Sequence, residues 1–242
     1  MTPAAARPDI VVADTVAALV ETAAGSIRAL AADAIAGRGR FRIALAGGST
    51  PRALYPHLVG GIDWTRTDVF FGDERAVPPD DPQSNYRLAR ETLLEPARVP
   101  EANVFRWQAE SPDLDAAARD YEQALRARDA GPPWIDLALL GLGPDGHTAS
   151  LFPGTAALAV EDRLAVAVEV PQLATRRLTL TYPTLLGATQ VMFLVTGAEK
   201  RAALADVLRP GSTLPAARII QRSARVRILC DADAAQDING AP

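Results

Sequence analysis

Lysine and cysteine are almost missing from this chain of 242 residues, and histidine occurs only twice. The one cysteine, Cys230, has no partner for an internal disulfide, which favours a reducing, cytoplasmic setting. No H-x-x-H, C-x-x-C or H-E-x-x-H pattern occurs, and two separated histidines with one cysteine make no zinc set, so no metal is expected. No run approaches the roughly 20 apolar residues that a membrane helix needs. Arg7, Pro8 and Asp9 interrupt the N-terminus where a secretory signal needs an apolar core. A basic excess is missing too: 25 Lys+Arg against 29 Asp+Glu leave a net charge of −4, which argues against a nucleic-acid binder. The serine-hydrolase elbow G-x-S-x-G is absent, since its nearest approach, GGSTP at 47–51, lacks the last glycine. Neither a 20–50-residue repeat nor an exposed heptad stands out, so the chain is no solenoid and its oligomeric state is not readable.

What is present is an ordinary globular composition, 48% hydrophobic and 22% charged, long enough for one α/β domain over 1–242. Asp14 or Thr15 caps a helical stretch whose inner face carries Val16, Leu19, Val20, Ala23, Ile27, Leu30 and Ala34, ending at Gly37 and Gly39. Residues 41–46 (FRIALA) read as the first strand, buried and parallel. A helix follows from 51 to about 58, a strand at 68–71, a polar loop to 83, and a helix at 84–94 capped by Ser84. Strands are expected at 103–107, 135–140, 164–170, 177–181, 191–195 and 226–230, with helices at 114–128 and 199–208. The Asp/Ala/Gly-rich tail from 232 reads as a mobile end. Strands alternating with helices predict a mostly parallel sheet with helices on both faces, its ligand outside the carboxyl ends of the strands.

Four strand-end loops therefore matter. In the first, Gly47 and Gly48 let the backbone approach an anion, and Ser49 and Thr50 add hydroxyls at a helix start preceded by a glycine turn. In the second, Asp73 and Arg75 supply a carboxylate and a guanidinium at the binding edge, with Asn85 opening the next helix. The third, GLGPDGHTASLFPG at 141–154, matches G-x-G-x-x-G literally at Gly141, Gly143 and Gly146. Pro144 lies inside that fingerprint and Pro153-Gly154 stops any helix early, so no dinucleotide site is expected. The loop instead presents Asp145 and His147 at the head of an expected short helix, whose N-terminus would favour a neutral imidazole able to act as a base. The other histidine, His57, reads as structural. In the fourth, Lys200, the only lysine among 25 basic residues, opens the helix after a strand as a point charge suited to phosphate. Arg176 or Arg177 can reach the same anion.

LAGGSTPRALY (45–55), FFGDERAVPPDDPQSNYRLARETLL (70–94), DLALLGLGPDGHTASLFPGT (136–155), RLTLTYPTLL (177–186) and VTGAEKRAAL (195–204) together resemble the 6-phosphogluconolactonases. The resemblance covers about 41–231 in family order, and it implies a modified Rossmann-like, sugar-phosphate isomerase/deaminase-like fold. The implied activity is hydrolysis of 6-phospho-D-glucono-1,5-lactone, the second step of the oxidative pentose phosphate pathway, without cofactor or metal. The implied partner is that small sugar-phosphate lactone. His147 would be the general base, with Asp145 or Asp73 orienting it or the water. Backbone N–H groups of 141–147, Gly146 included, or Arg75 would meet the oxyanion, while Gly48–Thr50, Lys200 and Arg177 would hold the phosphate. The related glucosamine-6-phosphate deaminases carry a glutamate in the segment after their histidine and Asp-Glu-Tyr in the second loop. This chain has Thr148–Phe152 without an acid, and Asp73-Glu74-Arg75. A sugar-phosphate-sensing domain of bacterial regulators is the other alternative, but no DNA-binding helical module precedes the first strand.

Overall fold

The computed structural model describes residues 7–128 and 131–238. Its frame is a six-stranded parallel sheet built from β1 (Asp9–Ala13), β2 (Phe41–Leu45), β3 (Thr67–Phe71), β5 (Leu137–Leu140), β8 (Gln190–Val195) and β9 (Val226–Asp231). The strand order is β1-β9-β8-β5-β2-β3, parallel at every pairing. The expected mostly parallel α/β fold is thus present. Strands β2 and β5 in the middle of the sheet and β3 at its edge are buried along their whole length, which is why they do not show the alternation of a half-exposed strand. β2 leads to β3 on one side while β5 lies on its other side, so the order reverses between β2 and β5. Such a switch point opens a crevice at the carboxyl ends.

α1 (Val16–Arg38) starts where the Thr15 hydroxyl accepts from Ala18 N–H and ends where Gly39, at φ 83°, turns the chain out, a conformation glycine adopts without a Cβ penalty. It buries Leu19, Val20, Ala23, Ala24, Ile27, Ala31 and Ala34, while Val16 stays exposed. α2 (Ser49–Leu54) continues as a 3-10 turn at Tyr55–Leu58, and α3 (Asn85–Ala89) continues as a π turn at Arg90–Leu94. α4 (Leu114–Ala127), α5 (Tyr182–Leu186), α6 (Arg201–Leu208) and α7 (Pro215–Arg222) complete the helices of the described residues. At the amino ends of β5 and β3 Arg38 and Arg40 pair with the buried Asp136 and Asp68, each at 2.5 Å. These charges brace the sheet at the edge away from the crevice.

Several expectations are corrected. The first strand is β1, ahead of α1, an edge strand with Ile10 and Val12 exposed and therefore without the apolar run that marks its neighbours. The polar loop after β3 contains β4 (Asp73–Arg75), which joins β6 (Ala165–Val170) and β7 (Thr175–Leu180) in a separate antiparallel sheet of order β4-β7-β6. Residues 103–107 make no strand. A 3-10 turn at Glu101–Asn103 and a single bridge from Val104 to Val69 stand there, because Trp107 turns its indole to Phe71 O and stacks on Tyr121. No helix follows His147; turns and a bridge between Thr148 and Leu151 occupy the segment. The tail over 232–238 is a series of turns with Ala234 and Ala235 buried, held where the Asp231 carboxylate accepts from Ala234 N–H. Residues 239–242 lie outside the described ones.

Candidate active site

A cavity of about 260 Å³ lies at the switch point between β2 and β5, lined by Gly47, Gly48, Asp73, Arg75, Asn85, Gly143, His147, Arg177 and Lys200 among others. A larger hollow of about 600 Å³, walled by Arg7, Gly25, Ala29, Gln190 and Arg225, opens beside α1 at the opposite strand ends. The smaller cavity holds both histidine and lysine, so chemistry rather than volume selects it.

The backbone around this cavity is pinned by phenols and an indole. The buried Tyr55 hydroxyl donates to Ala46 O at 2.5 Å, just before the glycine turn. Burial pushes this phenol far above its ordinary range, so it remains a donor at any working pH. Tyr121 and Trp107 hold the end of β3 at Phe71. Gly47 is needed for space: a Cβ there would fall 1.8 Å from Asn85 Oδ1. Gly48, at φ 110°, precedes α2. The Thr50 hydroxyl meets that of Thr196 at 2.7 Å, joining the loop after β2 to the loop after β8, while Ser49 faces solvent.

The second loop is fixed by a buried carboxylate. Glu74 accepts from the backbone N–H of Arg75, Asn85 and Tyr86, each at 2.8 Å, and from the Ser84 hydroxyl at 3.0 Å. Burial pushes its carboxyl up, against the pull of those amides. Asp73 accepts from the Ser150 hydroxyl at 2.6 Å and from Asn85 Nδ2 at 3.1 Å. Arg75 donates to Gln83 O. Arg177 lies in β7 directly opposite Arg75. Burial lowers the proton affinity of its guanidinium below the arginine value, partly countered by the charge of Asp73.

The third loop carries the imidazole. His147 Nδ1 lies 2.5 Å from Asp145 Oδ1, which also accepts from the His147 backbone N–H at 3.2 Å. A carboxylate only accepts, so the ring proton sits on Nδ1 and Nε2 is left as a base. Burial raises the Asp145 carboxyl, but its bonds from His147 outweigh that and hold it below the ordinary 3.8. One face of the ring stacks on Phe152 at 3.9 Å between centroids. The ring also lies over Gly143, where a Cβ would come within 2.0 Å of Nδ1.

The structure brings together His147, Asp73, Arg75, Asn85, Arg177, Lys200 and the Gly47–Gly48 turn around one cavity. Asp145 stands behind the imidazole. Gly146 does not face the cavity; at φ 76° it turns toward Leu214, and its carbonyl accepts from Ala216 N–H. The amides of Gly143, Gly146 and His147 are spent on His147 O, Gly143 O and Asp145, which withdraws half of the 141–147 amides from any oxyanion role. Arg176 pairs instead with Asp115 at 3.4 Å. His57 pairs with Glu21 at 2.8 Å, away from the cavity. Ser150, Phe152 and Thr196 carry no sequence signal of their own; bonds to Asp73 and Thr50 and the stack on His147 give them their place.

A family model described as glucosamine-6-phosphate isomerases/6-phosphogluconolactonase matches residues 14–228. The chain belongs to this family. The 6-phosphogluconolactonase of Synechocystis sp. is 40% identical over 227 residues, covering 91% of this chain and 94% of that protein. The one from Nostoc sp. is 40% identical over 213 residues, 85% and 88% of the two chains. The solved structure of 6-phosphogluconolactonase from Trypanosoma cruzi superimposes with a TM-score of 0.85 at 30% identity, covering 97% of this chain and 98% of its own. The lactonase branch to which the motifs point is thus the branch of these relatives. Among the described residues no helix is long and apolar enough to cross a membrane, and no group of three or more His, Cys, Asp and Glu is placed to hold a metal ion.

Proposed function

We propose that this chain hydrolyses 6-phospho-D-glucono-1,5-lactone to 6-phospho-D-gluconate, the second step of the oxidative pentose phosphate pathway, as one cytoplasmic catalytic unit. One observation carries the reading: the imidazole of His147, oriented by Asp145, shares a small cavity with Arg75, Arg177, Lys200 and the Gly47–Gly48 turn. A base and an anion grip in one crevice fit a substrate that bears a phosphate at one end and a hydrolysable carbonyl at the other.

His147 Nε2 takes a proton from water while the water oxygen attacks the lactone carbonyl, a role worth typically 10²–10⁴-fold in rate. The tetrahedral intermediate carries its negative charge on the former carbonyl oxygen, and Arg75, a cavity-lining cation, is the side chain assigned to it, half of the nearby loop amides being engaged elsewhere. Collapse breaks the bond to the ring oxygen. That oxygen receives the proton from the imidazolium and becomes the 5-hydroxyl, and the new carboxylic acid ionises. Asp145 holds the imidazole in its Nδ1–H tautomer and steadies the cation formed mid-reaction, as the carboxylate of a catalytic triad does. Asp73, bound to Ser150 and Asn85, offsets the charge of Arg177 and is not the orienting carboxylate. Lys200, Arg177 and Gly48, which line the cavity, fix the 6-phosphate and so place C1 over the base; Ser49, facing solvent, and Thr50, bonded to Thr196, are not among the lining residues.

Acid production from freshly made lactone, followed at constant pH, tests this directly. Turnover well above the spontaneous rate, with no ammonia released from glucosamine 6-phosphate, is the expected result. A rate equal to the spontaneous one overturns the reading, and thermal stabilisation by sugar phosphates without turnover marks a sensor domain instead.

A further inference from the structure

The Asp145 bond fixes one edge of the His147 ring but leaves rotation about the bond axis open. Two contacts limit that rotation. Phe152, 3% exposed, stacks on the imidazole with an interplanar angle of 25° and centroids 3.9 Å apart. Gly143 packs so closely against the ring that a Cβ there would lie 2.0 Å from Nδ1 and 2.1 Å from Cε1. Phe152 is held in turn by the turn at its own carbonyl, which accepts from both Thr155 N–H and the Thr155 hydroxyl. The loop backbone is equally constrained, since Ala149 sits at φ 48°, a conformation unfavourable for a residue with a Cβ, between the Thr148 bond to Gly141 O and the Ser150 bond to Asp73.

We infer that Phe152 is a positioning residue: with Gly143 it forms a slot that keeps the His147 imidazole in the plane from which Nε2 serves the cavity. The inference deepens the lactonase reading and rests on it for its kinetic part. A base displaced by about 1 Å loses up to two orders of magnitude in rate, whereas substrate grip through Lys200 and Arg177 is untouched. Loss of the aromatic wall therefore acts on kcat and leaves KM alone.

The chain has two histidines, so proton NMR of the imidazoles resolves them, with His57→Gln giving the assignment. Stacked against Phe152, the ring protons of His147 are expected upfield of those of His57, and the displacement is lost in Phe152→Leu. In lactone hydrolysis Phe152→Leu is expected to lower kcat by about tenfold or more with KM within twofold. Phe152→Met, equal to leucine in volume but unbranched and better able to fill an irregular gap, serves in the same way should the leucine variant fold poorly. Wild-type His147 protons without upfield displacement overturn the inference whatever the activity, as does a folded Leu or Met variant with wild-type kcat. A wild-type protein without turnover refutes the lactonase reading instead, and the NMR result still decides whether the slot exists.

Discussion

Arg75 and Arg177 stand directly opposite each other across the antiparallel pair of β4 and β7, and the Nε of each is buried without a hydrogen-bond partner. Like charges so placed repel; the Asp73 carboxylate offsets that repulsion, and what remains is the larger cost of burying the Arg177 guanidinium. An anion in the cavity relieves it. Arg177→Gln is therefore expected to raise KM for the phosphorylated lactone while leaving Tm at or above that of the wild type. Inorganic phosphate should raise the wild-type Tm more than that of the variant. A Tm well below wild type shows that the guanidinium stabilises the fold and that the cost described does not exist.

His147→Ala is expected to lower lactone turnover at least about 100-fold with little change in Tm, since the ring is partly exposed and bonded to an exposed carboxylate. Asp145→Asn leaves a side chain able to donate to Nδ1, which favours the wrong tautomer, and kcat should fall with KM nearly constant. Near-wild-type kcat in either variant removes that residue from the catalytic machinery.

Lys200→Ala should raise KM for the phosphorylated lactone while changing kcat far less, and should leave the slow turnover of unphosphorylated gluconolactone as it is. Steady-state kinetics with the two substrates separates a phosphate contact from a general loss of structure. Equal effects on both substrates exclude the contact.

Glu122 of α4 receives Arg126 at 2.7 Å and Arg163, ahead of β6, at 2.6 Å. Burial raises its carboxyl, but the two guanidinium bonds prevail and hold it below the ordinary 4.5. A carboxyl depressed in the folded state adds stability that is complete above its unfolded value and disappears as pH falls through its folded one. Glu122→Gln should thus lower Tm at pH 7, and the difference from wild type should narrow as the pH is taken below 4.5. A difference constant from pH 7 to pH 3 rules out this ion pair as the cause.

The central strands and the loops after them were legible because full burial leaves an unbroken apolar signature and because glycines, His147 and Lys200 are sparse enough to stand out. β1 and β4 were not, since a strand left largely exposed carries no apolar run and a three-residue strand of Asp, Glu and Arg carries only the mark of its charges. The helix expected after His147 failed for a different reason. The Thr148 hydroxyl donates to Gly141 O, and Ser150 donates its N–H to Thr179 and its hydroxyl to Asp73, partners that no local pattern announces. The same cause hid Phe152, whose role depends on what lies across the loop, and it is why Asp73 and Asp145 were equivalent until their neighbours were known.

The pairing of β1 with β9 joins Asp9 to Arg227, 218 positions along the chain. On the ribosome the segment 9–13 is made well before its strand partner β9. The sheet is then nucleated by β2, β3 and β5, while the β1 edge waits for β9. Translation arrested shortly before residue 226 would release a chain with every cavity-lining residue already made and one flank of the sheet unsealed.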